Sequence, residues 1–304
     1  MTISVCVLGV FAYGQQDAMF THYMFNTQSI NPGYAGSRDA LTLTGLHRSQ
    51  WVGFDGAPVT QTLTGHMPLL NDKLGIGLSL LNDKIGPINT TSFYLDFAYK
   101  LQVSDKGKLS FGLKAGANLM NGTLNTLSLD ESGDQAFQNN IESAFLPNFG
   151  FGMYYYETRW YVGLSAPKLL ENDFTSNVST GGTDIASEKR HYFLIGGAVF
   201  DLNKELKLKP STFVKLTPGA PIEFDLTALF LFKDKLWAGP MFRSGDALGA
   251  LIGYQFTDQL SAGYSFDWSY TNTTFRYNGG SHEIMLRYDF FFNNKGKIRS
   301  PRYF

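Results

Sequence analysis

The stretch SFYLDFAYKL at residues 92–101 carries a large apolar side chain at every second position. Its odd-numbered residues are all aromatic or leucine, whereas Ser92, Asp96 and Lys100 lie among the even-numbered ones. A period of two is the side-chain period of a β-strand, in which successive residues point to opposite faces. The stretch therefore predicts a strand with one apolar and one polar face, about as long as a tilted strand that crosses a bilayer.

The same alternation begins after residue 38 and continues almost to the end of the chain, most clearly at 109–117, 260–268 and 282–290. The predicted strands are 40–50, 58–69, 73–82, 91–103, 108–120, 147–156, 158–165, 189–201, 205–217, 221–232, 235–243, 246–256, 259–270 and 281–292. About fourteen strands of roughly ten residues predict an all-β fold, an antiparallel transmembrane β-barrel of the outer membrane.

The connections between these strands alternate between two kinds. The turns from even to odd strands are tight and polar: 71–73, 104–107, 157–158, 202–204, 233–235 and 257–258. The connections from odd to even strands are longer on average: 51–57, 83–90, 121–146, 166–188 and 271–280, although 217–220 and 244–245 are short. Short turns on one rim and long loops on the other are typical of outer-membrane barrels, whose short rim faces the periplasm.

The composition agrees with a surface that is not made for water alone. Charged residues make up 17% of the chain, against about 25% in an average soluble domain, and aromatic residues make up 15%. A soluble sandwich of fourteen strands shares the alternation, but it does not explain the low charge or the asymmetry of the two rims. The net charge of −1 excludes a nucleic-acid partner, because no excess of Lys and Arg is available to neutralise phosphates.

Aromatic residues cluster where the barrel should meet the two membrane interfaces. The predicted girdle residues are Tyr154, Tyr155, Tyr156, Trp160, Tyr161 and Phe290 to Phe292 at the short-turn rim, with Trp268 and Tyr270 at the long-loop rim.

The chain divides into four predicted parts. Residues 1–14 resemble a cleaved signal peptide with Ala12 and Gly14 before the cleavage site, although they lack the usual basic start; a buried first strand is the alternative. Residues 15–39 are aromatic with few charges, so we expect them to be buried as a plug in the barrel mouth or covered by a partner on the periplasmic side. The barrel covers 40–292, and 293–304 form a periplasmic tail.

Charged residues of both signs occupy the polar face of the strands. The predicted lumen charges are Asp96, Lys100, Lys114, Lys207, Lys209, Lys215, Glu223, Asp225, Arg243, Asp267, Glu283, Arg287 and Asp289. Mixed signs favour paired charges that fill the interior over an ion path, which would prefer one sign. The histidines are scattered, the only cysteine is Cys6, and GLSAP at 163–167 lacks the second glycine of a nucleophile elbow. We therefore expect no metal, no cofactor and no enzyme activity.

Several motifs resemble one family. The run from Gln15 to INPGYAGS at 30–37 and the stretch HRSQWVGFDGAPVTQTLTGHMPL at 47–69 resemble the PorP/SprF outer-membrane proteins of the type IX secretion system, as do GLSAPKLLEN at 163–172 and SPRYF at 300–304. Gly33 departs from the alanine expected there. The candidate partner-binding residues carried over from these motifs are Asn31, Pro32, Tyr34, Ala35, Gly36, Arg48, Trp51 and Gly53; a folded entry segment and first loop would explain them equally well.

The resemblance implies a fourteen-stranded accessory barrel that partners a large secreted surface protein, often an adhesin of gliding cells, through the cargo's C-terminal domain and with other secretion components. We expect the cargo to meet the long-loop rim at 121–146 and 166–188. Two alternatives remain open. A FadL-like transporter of hydrophobic molecules has a similar barrel and a hatch with an Asn-Pro motif, to which Asn31-Pro32 is loosely similar, and a general porin would conduct ions.

Overall fold

The computed structural model describes residues 18–69, 72–124, 140–172, 188–270 and 279–291. Its strands are β1 (Leu41–Ser49), β2 (Val59–Leu69), β3 (Leu74–Ile85), β4 (Ile88–Gln102), β5 (Lys108–Gly122), β6 (Ile141–Tyr156), β7 (Trp160–Ala166), β8 (Tyr192–Ala198), β9 (Phe200–Asp201), β10 (Leu206–Leu216), β11 (Glu223–Phe232), β12 (Leu236–Arg243), β13 (Ala247–Gln255), β14 (Leu260–Ser269) and β15 (Ser281–Phe290). Among the described residues, no helix is long and apolar enough to cross a membrane.

Every strand pairs antiparallel with its neighbours, and the first strand pairs with the last. The segments β8 and β9 both pair with β10 and are separated only at Val199, so together they count as one strand of the barrel. The pairing of β10 with β11 completes the ring. The fold is therefore a closed antiparallel barrel of fourteen strands, and the sequence prediction of the fold class is confirmed.

The two faces of the strands have opposite environments. On β4, Leu95 is 55% exposed on the outside of the barrel, whereas Asp96 is 3% exposed on the inside. The same holds on β14, where Tyr264 points outward and Asp267 inward. An exposed apolar exterior suits contact with lipid, and the charged side chains of β4 and β14 lie in the lumen.

The strands extend further than predicted at two places. The expected loop at 83–90 is a tight turn at Gly86 and Pro87, because β3 and β4 continue pairing up to Ile85 and Ile88. Similarly, β6 begins at Ile141 instead of residue 147, paired with the end of β5. Both extensions lie on the long-loop rim.

The expected aromatic girdle at the short-turn rim is partly wrong. Tyr154 and Tyr161 are buried inside the barrel, with ring centroids 5.6 Å apart, and Tyr156 packs beside them. Consecutive residues of a strand point to opposite faces, so a run of three tyrosines cannot face lipid together. Of this group, Trp160 is exposed on the outside, where Tyr155 packs on it with ring centroids 4.8 Å apart, and Phe290 and Phe291 are exposed on the same rim. Trp268 and Tyr270 are exposed at the opposite rim, as predicted.

The described part of the N-terminal segment, residues 18–40, lies inside the barrel, and we call it the plug. It contains one helical turn, α1 (Thr27–Ile30), followed by a 3-10 turn at Pro32–Tyr34. Its two ends lie at different depths: His22 contacts Glu283 near the long-loop end of β15, and Arg38 contacts Asp289 near the short-turn end. The predicted signal peptide at 1–14, the girdle residue Phe292 and the tail at 293–304 with its SPRYF motif lie outside the described residues.

Candidate functional site

The plug is anchored first in the half of the barrel that faces the long loops. Glu283 accepts hydrogen bonds from the backbone N–H groups of Thr21 and His22, at 2.9 and 2.7 Å, and its Oε1 lies 2.7 Å from His22 Nδ1. Arg48 of β1 donates to Thr21 Oγ1 at 2.8 Å and to Asp267 Oδ2 at 2.7 Å. We call these five residues the upper anchor. All are buried, so their hydrogen bonds are shielded from water.

The upper anchor continues into a second buried ion pair on the barrel wall. Arg243 donates through Nε and Nη2 to the carboxylate of Asp225, at 2.9 to 3.1 Å, and its Nη1 lies 3.7 Å from Asp267. Asp267 therefore faces both Arg48 and Arg243. Mutual pairing stabilises charges that would otherwise be costly to bury.

The middle of the plug is held by amide side chains. Gln28 Nε2 donates to Asp96 Oδ2 at 3.0 Å and to the carbonyl of Gly65 at 3.1 Å. Asp96 also pairs with Lys114 at 2.9 Å, so one carboxylate links the plug to β5. Asn26 contacts the side chains of Thr62 and Thr64 on β2.

Asn31 connects the plug to strands β6 and β7. Its Oδ1 accepts from the backbone N–H of Gly33 at 2.8 Å, which caps the 3-10 turn, and its Nδ2 donates to the carbonyl of Met153 at 3.0 Å. This close approach requires glycine on the wall. Inward glycines at which an added Cβ would lie within 2.2 Å of a plug atom are Gly75, Gly77, Gly112 and Gly152, which we call the seat glycines. These glycines of the barrel wall thus make room for the plug.

The lower anchor lies near the short-turn rim. Arg38 Nη2 pairs with Asp289 Oδ2 at 2.8 Å, and Thr42 donates to the other oxygen of Asp289 at 2.7 Å. Burial lowers the pKa of Arg38, but the carboxylate of Asp289 and the neighbouring Tyr34 outweigh this effect and raise it above its ordinary value. Lys100 donates to the carbonyl of Gly36, so the plug is also held from β4.

Aromatic packing fills the space between the two anchors. The ring of Tyr23 lies 5.3 Å from that of Phe213, and Phe25 lies 5.2 Å from Trp237. Lys209 and Arg287 place their cationic groups 5.0 and 5.4 Å from the Phe25 ring, which is the geometry of cation–π contacts. Burial raises the pKa of Tyr23, so its hydroxyl stays neutral in this core.

The plug occupies the lumen of the barrel. The plug contacts strands around the ring, from β1 and β2 through β6 and β7 to β12 and β15. Positive and negative side chains pair with one another, which does not create the one-sign lining that selects ions. Within the described ranges, no group of three His, Cys, Asp or Glu side chains could hold a metal ion.

The sequence matches one family model over residues 12–288, that of the type IX secretion system membrane protein PorP/SprF. The chain belongs to the PorP/SprF family. A PorP/SprF barrel with an apolar exterior is a protein of the outer membrane. No curated protein matches the chain significantly.

The chain is also similar to several solved structures at low identity. Omp33 of Acinetobacter baumannii has a TM-score of 0.47 at 10% identity, over 83% of this chain and 98% of its own. A FadL homologue of Pseudomonas aeruginosa has a TM-score of 0.47 at 12% identity, over 86% and 93%. The CymD monoaromatic hydrocarbon channel has a TM-score of 0.46 at 9% identity, over 87% and 91%.

The structure separates the motif residues of this PorP/SprF protein into two groups. Asn31, Pro32, Tyr34, Ala35 and Gly36 are buried in the plug, and Arg48 is buried in the upper anchor. Gly36 has φ of +67° and an added Cβ would meet the backbone of Gly75, so glycine is needed there. Trp51 and Gly53 instead lie in the β1–β2 loop at the extracellular rim. Their proposed role in partner binding stays a prediction.

The predicted lumen charges of the PorP/SprF barrel all lie on the inner face or at its ends. Asp96, Lys114, Asp225, Arg243, Asp267 and Glu283 form the contacts described above, and Lys100, Arg287 and Asp289 surround the lower half of the plug. Glu223 lies at the start of β11 and pairs with Lys215 at 2.8 Å. The alternation placed these residues on the inner face, but it did not reveal that many of them hold the plug.

The loop that contains Trp51 is fixed to both neighbouring loops. Val52 exchanges backbone hydrogen bonds with Gly279 and Gly280, and Gly86 donates to the carbonyl of Gly56 at 2.9 Å. Val52 and Phe54 are exposed on this rigid loop. Of the predicted cargo loops, residues 125–139 and 173–187 lie outside the described residues.

Sequence reasoning missed the plug residues that make the specific contacts, above all Thr21, His22, Gln28 and Arg38. They lie before the first strand, where no alternation assigns them to a face. The apolar character of residues 15–39 predicted burial, but it gave no partner for any one side chain.

Proposed function

We propose that this PorP/SprF protein is a non-enzymatic accessory barrel that partners a large secreted surface protein, such as an adhesin, for secretion or retention at the cell surface. The observation that carries the proposal is the plug. A lumen filled by the protein's own chain, with polar anchors at two depths, leaves the extracellular rim as the surface through which the barrel acts. The family membership supplies the secretion context.

The extracellular rim offers a fixed platform for such a partner. The β1–β2 loop presents Val52 and Phe54 from a backbone that is tied to two neighbouring loops. The two ends of the β7–β8 connection are hydrogen-bonded to each other, because Glu188 N–H donates to the carbonyl of Asn172 at 2.9 Å. Rigid presentation lowers the entropy lost on binding, which favours a protein interface.

The transporter and porin alternatives fit the lumen less well. A conduit for hydrophobic molecules needs an apolar passage, but the interior around the plug holds the buried pairs Asp96–Lys114 and Asp225–Arg243. A porin needs an open aqueous path, which the plug occupies. Lipid or detergent tails bound in a continuous apolar tunnel would favour the transporter instead.

The proposal is tested by deleting the gene and measuring surface display of the large secreted proteins by mass spectrometry of proteins released from intact cells. We expect one such protein to disappear from the surface and to return when the wild-type barrel is supplied. Unchanged display of all of them would contradict the proposal.

The cargo loops are tested separately in the complemented strain. Replacing the central parts of 121–146 or 166–188 with short Gly-Ser linkers should release the surface protein while the barrel still inserts. Retention at the parental level with both loops replaced would show that the contact lies elsewhere on the rim.

A further inference from the structure

A cavity of about 370 Å³ lies between the plug and the barrel wall in the extracellular half of the lumen. Its floor is made by plug residues, among them Phe20 and Ile30, and its upper wall reaches Ile85 and Ile88 beside the β3–β4 turn. We call this cavity the vestibule. Its size is in the range of sites that bind small ligands or inserted side chains.

The vestibule wall combines apolar and hydrogen-bonding groups. The apolar part includes Leu81, Met120 and Phe193, and the hydroxyls of Thr90 and Ser92 lie on the β4 side. Apolar contacts alone would suit an alkyl chain. The interleaved hydroxyl and amide groups suit a ligand that also has donors and acceptors along its length, because polar groups buried without partners are costly.

One side of the vestibule is closed by a polar clasp around Glu188. The carboxylate of Glu188 accepts from Asn118 Nδ2 at 3.0 Å and from Asn172 Nδ2 at 2.9 Å, and it lies 3.2 Å from Lys168 Nζ. Asn148 reaches the same carboxylate at 3.5 Å and also binds the backbone of Leu170. The clasp therefore ties both stems of the β7–β8 connection to β5 and β6.

We propose that the vestibule receives an extended, mainly apolar peptide segment of the secreted partner. This inference rests on the proposed function and deepens it, because it adds a socket to the rim surface that meets the partner. The clasp makes the vestibule continuous with the stems of the β7–β8 connection, so a segment bound there lies beside Lys168 and Glu188.

Two features favour a docked peptide over a transported molecule. The plug residues Phe20 and Ile30 lie between the vestibule and the periplasmic half of the lumen, so we expect the vestibule to hold an occupant without passing it across the membrane. Of the three lysines in its wall, Lys114 and Lys168 already pair with Asp96 and Glu188, and the third is Lys189. A charged headgroup would have to compete with those carboxylates, whereas an uncharged peptide segment would not.

The test uses two adjacent threonines of β4 that point to opposite faces. Thr90 lines the vestibule, and Thr91 is exposed on the outer face. Thr90→Trp fills the vestibule, and Thr91→Trp is the matched control with the same substitution on the same strand. Both variants should insert and show the heat-dependent gel shift of a folded barrel.

We expect Thr90→Trp to lower the surface-retained partner by about tenfold and Thr91→Trp to leave it at the wild-type level. Loss of the partner in the deletion strain together with full retention by Thr90→Trp would overturn the vestibule inference and leave the proposed function standing. Full display in the deletion strain would overturn the proposed function itself.

A second measurement identifies the occupant independently of display. The photoreactive residue p-benzoylphenylalanine is placed at position 90 or 91 in the full chain, and intact cells are irradiated. We expect position 90 to form an adduct with a polypeptide whose cross-linked peptide maps to the surface protein, and position 91 to react with lipid. Lipid adducts alone at both positions, an amphiphile at position 90, or no adduct there would overturn the inference.

Discussion

His22 Nδ1 lies 2.7 Å from Glu283 Oε1, although 261 residues separate the two in the chain and both side chains are fully buried. The contact joins the N-terminal plug to the last strand of the barrel. Because Glu283 also accepts the backbone N–H groups of Thr21 and His22, it fixes the plug in position as well as pairing with Arg48. The plug is therefore an integral part of the barrel interior, built into the same network as the wall.

Removing the cation of the upper anchor should destabilise the folded barrel strongly. Arg48→Met leaves the buried carboxylates of Asp267 and Glu283 without this partner, and loss of one member of a buried ion pair costs about 3–5 kcal/mol. The midpoint of urea unfolding in lipid vesicles, followed by tryptophan fluorescence, measures the effect.

The control for this substitution is Arg159→Met. Arg159 pairs with Asp201 at 2.6 Å, but both side chains are about half exposed at the periplasmic rim. Water replaces that partner, so the midpoint should stay close to the parental value. Equal shifts for the two variants would show that the upper anchor is not the buried network described above.

A methyl group at a seat glycine should displace the plug without breaking the barrel. A Cβ on Gly112 would overlap the backbone of Pro32 and Gly33, which cannot swing away as a side chain can. We expect Gly112→Ala to cost about 1–3 kcal/mol and to expose the plug to protease added from the periplasmic side. Gly45→Ala is the control, because nothing lies within 4 Å of a Cβ there. A plug as resistant in Gly112→Ala as in Gly45→Ala would contradict the close packing.

The strand faces could be predicted from sequence because lipid contact imposes a strict period of two. The alternation of apolar and polar residues ends earlier along the chain than the hydrogen bonding between the strands does. Between Asn82 and Lys84 the residues are polar on both faces, yet β3 keeps its pairing with β4 through them. The predicted loop at 83–90 was therefore too long, although the two strands themselves were found.

Tryptophan fluorescence can test the assignment of faces directly. Trp160 and Trp268 are 42% and 46% exposed on the outer surface, whereas Trp237 is 6% exposed and packs on Phe25 inside the barrel. In variants that keep one tryptophan each, lipids brominated along the acyl chain should quench Trp160 and Trp268 and leave Trp237 nearly unquenched. Strong quenching of Trp237 would place β12 with the opposite face inward.

The contacts of the plug could not be predicted in the same way. Residues in a strand inherit a face from their position, but Thr21, Gln28 and Arg38 lie in an irregular segment whose partners are distant in sequence. Gln28, for example, reaches Asp96, which lies 68 residues further along the chain. Such contacts follow from how the plug fits the finished barrel, which no local pattern encodes.

The central claim is that the chain closes its own barrel, and the conductance of the purified protein in planar lipid bilayers tests it most directly. The intact protein should give no steady ohmic current, whereas deletion of residues 18–38 should open a water-filled lumen lined by Asp96, Lys114 and Glu283 and produce a stable current. A steady ohmic current through the intact protein, equal to that of the deletion variant, would contradict the account.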